Sequence, residues 1–262
     1  MLELYQFEMS HYSEKVRFIL DYKNLPYRKI EVTPGIGQID LMRMSGQRQV
    51  PVLKDGNEVI ADSTAIADYL DRQYPDHPLI PDDPKQKGLC LLIEQWADES
   101  IGLNARKAMI GALNRDQAFR KAFLPQSLPD PLRSLVGSVP REVLDVLGLG
   151  LGLTPDAIKS AEDALKRDLT ALCFILREQP YLLGEQPTLA DFAVAALTMY
   201  IKFPEGNYVN LPEALKGRGV TGIADIGTFK PFFDWRDKLY ADYRLGASNG
   251  GSSSNPTSIN IE

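Results

Sequence analysis

The order of signals in the first 75 residues constrains the fold more than any other feature. Residues 2–7, LELYQF, read as a short strand. From residue 10 to about 23, Tyr12, Val16, Ile19 and Leu20 recur at spacings of three and four, the period of an amphipathic helix. Residues 27–32, YRKIEV, alternate as a strand, and a glycine-containing connection through Gly35, Gly37 and Gly46 follows. Residues 52–54 and 58–61 flank Asp55-Gly56-Asn57, a hairpin turn signal. A helix over 63–74 then begins at Asp62-Ser63. A strand, a crossover helix and a second strand make a parallel pair, to which a hairpin adds antiparallel strands. The expectation is a mixed four-stranded sheet, β-α-β then β-β-α, with helices packed on it.

Pro75, Pro78, Pro81 and Pro84 end that pattern and mark a linker. Most of the remainder reads as helix: a long periodic segment over 86–113, another over 155–178 and a last one over 230–243. Thr154 and Pro155 suit the N-cap and first turn of the second of these. TLADFAVAALTMY, from Thr188, opens with a capping box whose third helical position is Asp191. The reading divides the chain into an α/β domain (1–77), an all-helical domain (84–245) and a Gly/Ser/Asn-rich tail (246–262) expected to be disordered.

Composition excludes several classes. With 44% hydrophobic residues, disorder is not the main state. No run of 18 apolar residues exists, so a transmembrane helix is not expected, and the start lacks the apolar core of a secretory signal. A net charge of −6 argues against nucleic acid, which needs a basic face. Cys90 and Cys173 stand alone in helical segments and only His11 and His77 offer imidazoles. A metal site is not expected, and the thiols read as buried structural groups of a reducing, cytoplasmic protein.

Three constellations in the α/β domain can carry chemistry. Ser10-His11-Tyr12-Ser13 sits where a strand gives way to a helix; N–H groups and the helix dipole there favour an anion, to which a serine hydroxyl can donate. A plain N-cap is the alternative. In Gln49-Val50-Pro51-Val52, a cis peptide at the X-Pro step would turn the Val50 backbone outward, ready to pair with an extended ligand; an edge-strand proline without a ligand is the alternative. In Asp62-Ser63, the serine N–H and hydroxyl suit a carboxylate and the aspartate an ammonium; again a cap is the alternative.

In this order and spacing the three constellations resemble the thioredoxin-like half of cytosolic glutathione S-transferases of the serine type. The proline linker, the helical domain and the capping-box helix extend the resemblance over roughly residues 1–114 and 154–245. SHYS stands where glutaredoxins carry two cysteines, so disulfide chemistry is absent at that place. The resemblance implies glutathione as co-substrate, with no metal. It implies that Ser10 donates to the glutathione sulfur and that Val50, ahead of Pro51, pairs with the cysteinyl unit. Asp62 and Ser63 then hold the γ-glutamyl end, while Arg48 and Gln49 reach the glycine carboxylate. It further implies a homodimer that conjugates glutathione to a small hydrophobic electrophile, or reduces that electrophile with it.

Tyr5 competes with Ser10 as thiol activator, because other classes of the family use a first-strand tyrosine; it falls on the strand body. His11 reads as a solvated neighbour of the helix start. Trp96, Arg106, Met109 and Ile110 are candidates for the electrophile wall, and Tyr12 for a place near the sulfur. Residues 114–154, with Pro125, Pro129, Pro131, Pro140 and the apolar run REVLDVLGLGLGL, depart from the family pattern. They suit a lid, a docking surface or a surface loop. A non-catalytic family-fold protein for binding or assembly is the rival function.

Overall fold

The computed structural model describes residues 1–32, 37–123 and 153–246. The first domain holds β1 (Leu2–Gln6), α1 (His11–Tyr22), β2 (Tyr27–Glu31), α2 (Gly37–Ser45), β3 (Val52–Asp55), β4 (Glu58–Ala61) and α3 (Ser63–Gln73). The sheet order is β2-β1-β3-β4: β1 runs parallel to β2 and antiparallel to β3, and β3 pairs antiparallel with β4. Tyr5 pairs with Val52 and Val52 with Ala61, so Phe7, Val50 and Asp62 all leave the sheet at the same end. The strand and crossover pattern read from the sequence therefore holds, and it collects the three constellations at one sheet edge.

α2 departs from the expected glycine-containing connection. Its nine residues, GQIDLMRMS, bury only Leu41, so no apolar stripe announces it. Leu41 packs beneath it with Tyr5, Val32 and Val52 in a small core on that face of the sheet.

The second domain begins with α4 (Pro84–Trp96), capped by Asp83, whose carboxylate accepts from the Gln86 N–H at 2.9 Å. The segment expected as one regular helix is interrupted by a π-helical turn, Ala97–Gly102, before α5 (Leu103–Arg115). A wider turn takes the same residue types as an α-helix, so periodicity does not reveal it. α6 (Gln117–Phe123), α7 (Pro155–Glu178), α8 (Leu189–Leu197) and α9 (Lys230–Tyr243) complete the domain. Thr154 caps α7 by accepting from the Ala157 N–H at 3.1 Å. Residues 124–152, which include most of the atypical segment and its apolar run, lie outside the described residues, as does the tail from 247.

α8 is the central post. All nine of its residues are buried, and the Asp191 carboxylate accepts from the Thr188 N–H and hydroxyl at 2.8 Å each and from the Leu182 N–H at 2.7 Å. A helix that is apolar all round must be enclosed. α1 packs along it, with Phe18 stacked on Phe192 at 5.6 Å between centroids. One continuous core thereby joins both domains. Cys90 and Cys173 are buried free thiols, as expected.

Two buried charge clusters anchor α1. Lys15 ion-pairs with Glu94 and, at 2.9 Å, with Asp98, joining the α1 start to the end of α4 and the π-turn. On its other side Glu14 accepts from Arg17 at 2.6 Å and from Arg244 at 2.9 Å, while Arg244 also pairs with Asp21. Burial alone would raise the Glu14 pKa, but the two arginines outweigh it and hold the carboxyl below its ordinary value.

Candidate active site

The sheet edge that gathers Ser10, Val50 and Asp62 opens onto a cavity of about 250 Å³ between the domains. Its sheet-side wall comprises Phe7, Ser10, Val32, Arg48, Gln49 and Val50, with Gln38 of α2. Its helical side brings Arg106 of α5 and Tyr200, and His11 and Tyr12 of α1 stand between the two.

Ser10 is the N-cap of α1 and its Oγ accepts from the Ser13 N–H at 3.2 Å. That bond occupies a lone pair and leaves the O–H proton to donate elsewhere. The hydroxyl thus stands at the positive end of a twelve-residue helix, facing the cavity. Capping and anion-directed donation are compatible here, so the two sequence readings of Ser10 coexist.

The Val50–Pro51 bond is cis and Pro51 is buried, while Val50, Arg48 and Gln49 line the cavity. Arg48 makes no hydrogen bond or ion pair among the described residues. Asp62 is exposed, with φ of +80°, a conformation costly for a non-glycine residue and found disproportionately at functional sites. Its Oδ1 accepts from the Thr64 and Ala65 N–H groups at 2.9 and 3.1 Å. Ser63 is buried, its hydroxyl 3.5 Å from Asp98 Oδ2. Asp62, Ser63 and Pro51 stand at the same sheet end but do not line this cavity.

Asp98, which sequence reasoning missed, ties these parts together. Its carboxylate takes Lys15 at 2.9 Å and the Thr64 hydroxyl at 3.0 Å, and burial pushes its pKa up. Its backbone carbonyl, in the π-turn, accepts from the Tyr12 hydroxyl at 3.0 Å.

His11 corrects the sequence expectation of a solvated neighbour. It is 3% exposed, and neither ring nitrogen has a hydrogen-bond partner among the described residues. The ring lies 4.4 Å from Tyr12 and 4.3 Å from Tyr200 between centroids, the latter edge-on. Burial, with a smaller contribution from Arg106, lowers its pKa to about 3, so it is neutral at physiological pH. Burial first, then Asp98, raises Tyr12 to about 12, and burial raises Tyr200 to about 12. Both phenols keep their protons.

Of the four electrophile-wall candidates, the cavity takes only Arg106. Met109 is core, Trp96 packs against the core, and Ile110 does not line the cavity. One turn earlier, Gly102 lets the helix approach the aromatic rings: a Cβ there would stand 2.9 Å from the Tyr12 hydroxyl and 3.4 Å from His11 Nε2. Tyr5 is buried in the small core under α2, its hydroxyl 3.4 Å from Glu3, and does not line the cavity. No group of His, Cys, Asp and Glu among the described residues is arranged to hold a metal ion, and no described helix is long and apolar enough to cross a membrane. Tyr200 had no local signal, since its place in the wall depends on a contact with α1 across the chain.

Comparison with known proteins bears on this arrangement. Residues 4–78 match the family model for the glutathione S-transferase N-terminal domain, and residues 140–216 that for the C-terminal domain. A glutathione S-transferase of Triticum aestivum is 39% identical over 98 residues, 37% of this chain and 46% of that protein. A zeta-class glutathione S-transferase of Euphorbia esula is 36% identical over 91 residues, 34% of this chain and 40% of that protein. These matches thus span less than half the length of either relative. Among solved structures, the beta-etherase LigF from Sphingobium sp. strain SYK-6 superposes with a TM-score of 0.66 over 92% of this chain and 95% of that one, at 21% identity. At that identity the likeness speaks for the fold.

Proposed function

The chain belongs to the glutathione S-transferase family, and from that premise we propose that it is a glutathione transferase of the serine type. The observation that carries the proposal is Ser10 at the start of α1, its oxygen accepting from the Ser13 N–H and its own O–H left to donate, lining one cavity with Val50, Arg48 and Gln49.

In this reading the Ser10 hydroxyl donates to the glutathione sulfur, and the α1 N-terminus favours its charge. A thiol with a pKa near 8.5 is only about 3% ionised at pH 7. A charge-assisted hydrogen bond worth about 1.5–3 kcal/mol lowers that pKa by roughly 1–2 units and makes the thiolate a major species. Serine is thereby a donor and not the nucleophile. The Val50 backbone, at the cavity wall, pairs with the cysteinyl unit. The free Arg48 guanidinium and Gln49 take the glycine carboxylate. Asp62, exposed at positive φ, and Ser63 receive the γ-glutamyl end.

The electrophile enters from the helical side. The sulfur forms a bond to its electron-poor centre, the leaving group departs with its electron pair, and the thiol proton passes to solvent. We place this activity in the reducing cytoplasm, consistent with two buried free thiols, and assign it to detoxifying chemistry. A homodimer through α4 is part of the same proposal, supported by the exposed Leu89, Leu91 and Leu92 on that helix.

Calorimetric titration with glutathione tests the reading. Saturable binding that weakens on Asp62→Ala is expected. A folded protein that fails to bind would transfer the reading to the non-catalytic rival, a binding or assembly protein on the same fold.

A further inference from the structure

Arg106 stands out among the cavity's groups as an exposed cation on its helical side. It makes no hydrogen bond or ion pair among the described residues, although it lines a cleft between two packed domains. It follows Gly102 by four residues, so it projects from the same face of the helix. That face meets the Tyr12 hydroxyl and the His11 Nε2 at Gly102. Arg106 therefore lies beside the aromatic cluster in which the His11 ring stands 4.4 Å from Tyr12 and 4.3 Å from Tyr200. His11 adds a second, independent sign: it lines the cavity, is 3% exposed, and has no partner for either ring nitrogen among the described residues. A buried polar group normally finds a partner, and an unpaired one calls for an explanation.

Charge accounting assigns the arginine. At neutral pH the γ-glutamyl end of glutathione carries one positive and one negative charge, the glycine end one negative charge, and the activated sulfur another. The α1 N-terminus and Ser10 serve the sulfur, and Arg48 on the sheet side serves the glycine end. The imidazole and both phenols of the aromatic cluster are uncharged. One cation remains, on the opposite wall, in a chain whose net charge is −6. That exposed guanidinium lines the cavity and is available to an anion other than those of glutathione.

We propose that Arg106, set against the His11–Tyr12–Tyr200 cluster, anchors the second substrate, and that this substrate is an aromatic or conjugated electrophile bearing a carboxylate. The inference rests on the glutathione reading above and replaces a merely hydrophobic electrophile with an anionic one. The rings supply the apolar face, and the guanidinium takes the carboxylate in a two-pronged hydrogen bond. The His11 ring, released from internal hydrogen bonds, is available to a polar substituent of that substrate.

A matched pair of probes tests this: 4-chloro-3,5-dinitrobenzoate and its methyl ester. In both, the glutathione sulfur bonds to the chlorine-bearing ring carbon, chloride leaves with the bonding electrons, and the thiol proton goes to water. Each kcat/KM is divided by the uncatalysed rate with glutathione to remove intrinsic reactivity. The wild type is expected to favour the acid over the ester. Arg106→Met should lower the acid-to-ester ratio at least tenfold, and Arg106→Lys should restore part of it. Circular dichroism checks the fold of each variant. An unchanged ratio overturns the proposal, and an unchanged ratio with a raised KM for glutathione assigns Arg106 to the tripeptide. Calorimetry of the wild type with glutathione separates the two levels. Binding with an unchanged ratio leaves the glutathione reading standing alone, whereas no binding removes both.

Discussion

On the sheet side of the cleft the cavity is lined by a helix cap, a strand-entry backbone and a loop arginine: Ser10, Val50 and Arg48. On the helical side it is lined by Arg106 of α5 and Tyr200, which meet the α1 residues His11 and Tyr12. The first wall is made of local features, each set by a turn or cap within a few residues. The second is assembled from places far apart in the chain and exists only once the domains dock. Chemistry common to a family is economically written in the local wall, and what differs between members is free to vary in the assembled one. Lys15, Glu94 and Asp98 are the seam between them.

Breaking that seam should have the largest effect. Lys15 is fully buried and offers its charge to two carboxylates and to the Thr64 hydroxyl at 3.2 Å. Lys15→Met leaves Glu94 and Asp98 facing each other with no cation, and removing one member of a buried ion pair costs about 3–5 kcal/mol. Urea unfolding should register that loss together with weaker glutathione binding. A loss below about 1 kcal/mol would mean the domains dock through apolar contacts alone.

Next comes the imidazole between the walls. The folded-state pKa of His11, about 3, lies below the ordinary value of 6.5. Between those values the unfolded chain binds a proton that the folded chain does not. Its contribution to stability is complete above about pH 6.5 and falls by about 1.4 kcal/mol per pH unit as pH drops. Asp191 works in the opposite sense: burial raises it to about 6, so its contribution is lost as pH rises through that range. The wild-type profile mixes the two, and the difference from His11→Phe isolates the imidazole. That variant should gain about 1.6 kcal/mol relative to the wild type on going from pH 6.5 to pH 5. A pH-independent difference would place a hydrogen-bond partner on the ring.

The sheet-side wall is probed by Ser10→Ala. Conjugation should fall about tenfold or more in kcat/KM, with about 1 kcal/mol lost from the helix cap. Tyr5→Phe should leave the rate unchanged, because that ring is buried with Val32, Leu41 and Val52 beneath α2. A rate loss in Tyr5→Phe equal to that in Ser10→Ala would reverse the assignment.

These effects track what was legible in the sequence. Ser10, Val50 and Asp62 could be singled out because a cap, an X-Pro step and a strand-to-helix junction each leave a short-range signal, and the β-α-β-β-β-α order brings them to one edge. The sequence places His11 in solvent because its burial comes from Tyr200 and the approach of α5, neither of which its neighbours in sequence announce. α2 leaves no periodic signal because it buries one apolar residue. The π-turn escaped because it widens a helix without changing its composition, yet it positions the Asp98 carbonyl that receives Tyr12.

The smallest effect, and the one that isolates the assembled wall, is expected from Gly102→Ala. An alanine suits a helix better than glycine by about 0.8–1 kcal/mol. Its methyl group would stand 2.9 Å from the Tyr12 hydroxyl, so the phenol must move off the Asp98 carbonyl at a cost of about 0.5–1.5 kcal/mol. The two terms nearly cancel, and the unfolding midpoint should shift little. The ring nevertheless moves, and the arginine one turn on loses the surface that a bound electrophile shares with it. A drop of about two- to threefold in kcat/KM for the electrophile, with glutathione affinity unchanged, is the expected signature. Equal changes in both would mean that the two walls are one mechanical unit, because moving Tyr12 would then displace Ser10 two residues before it.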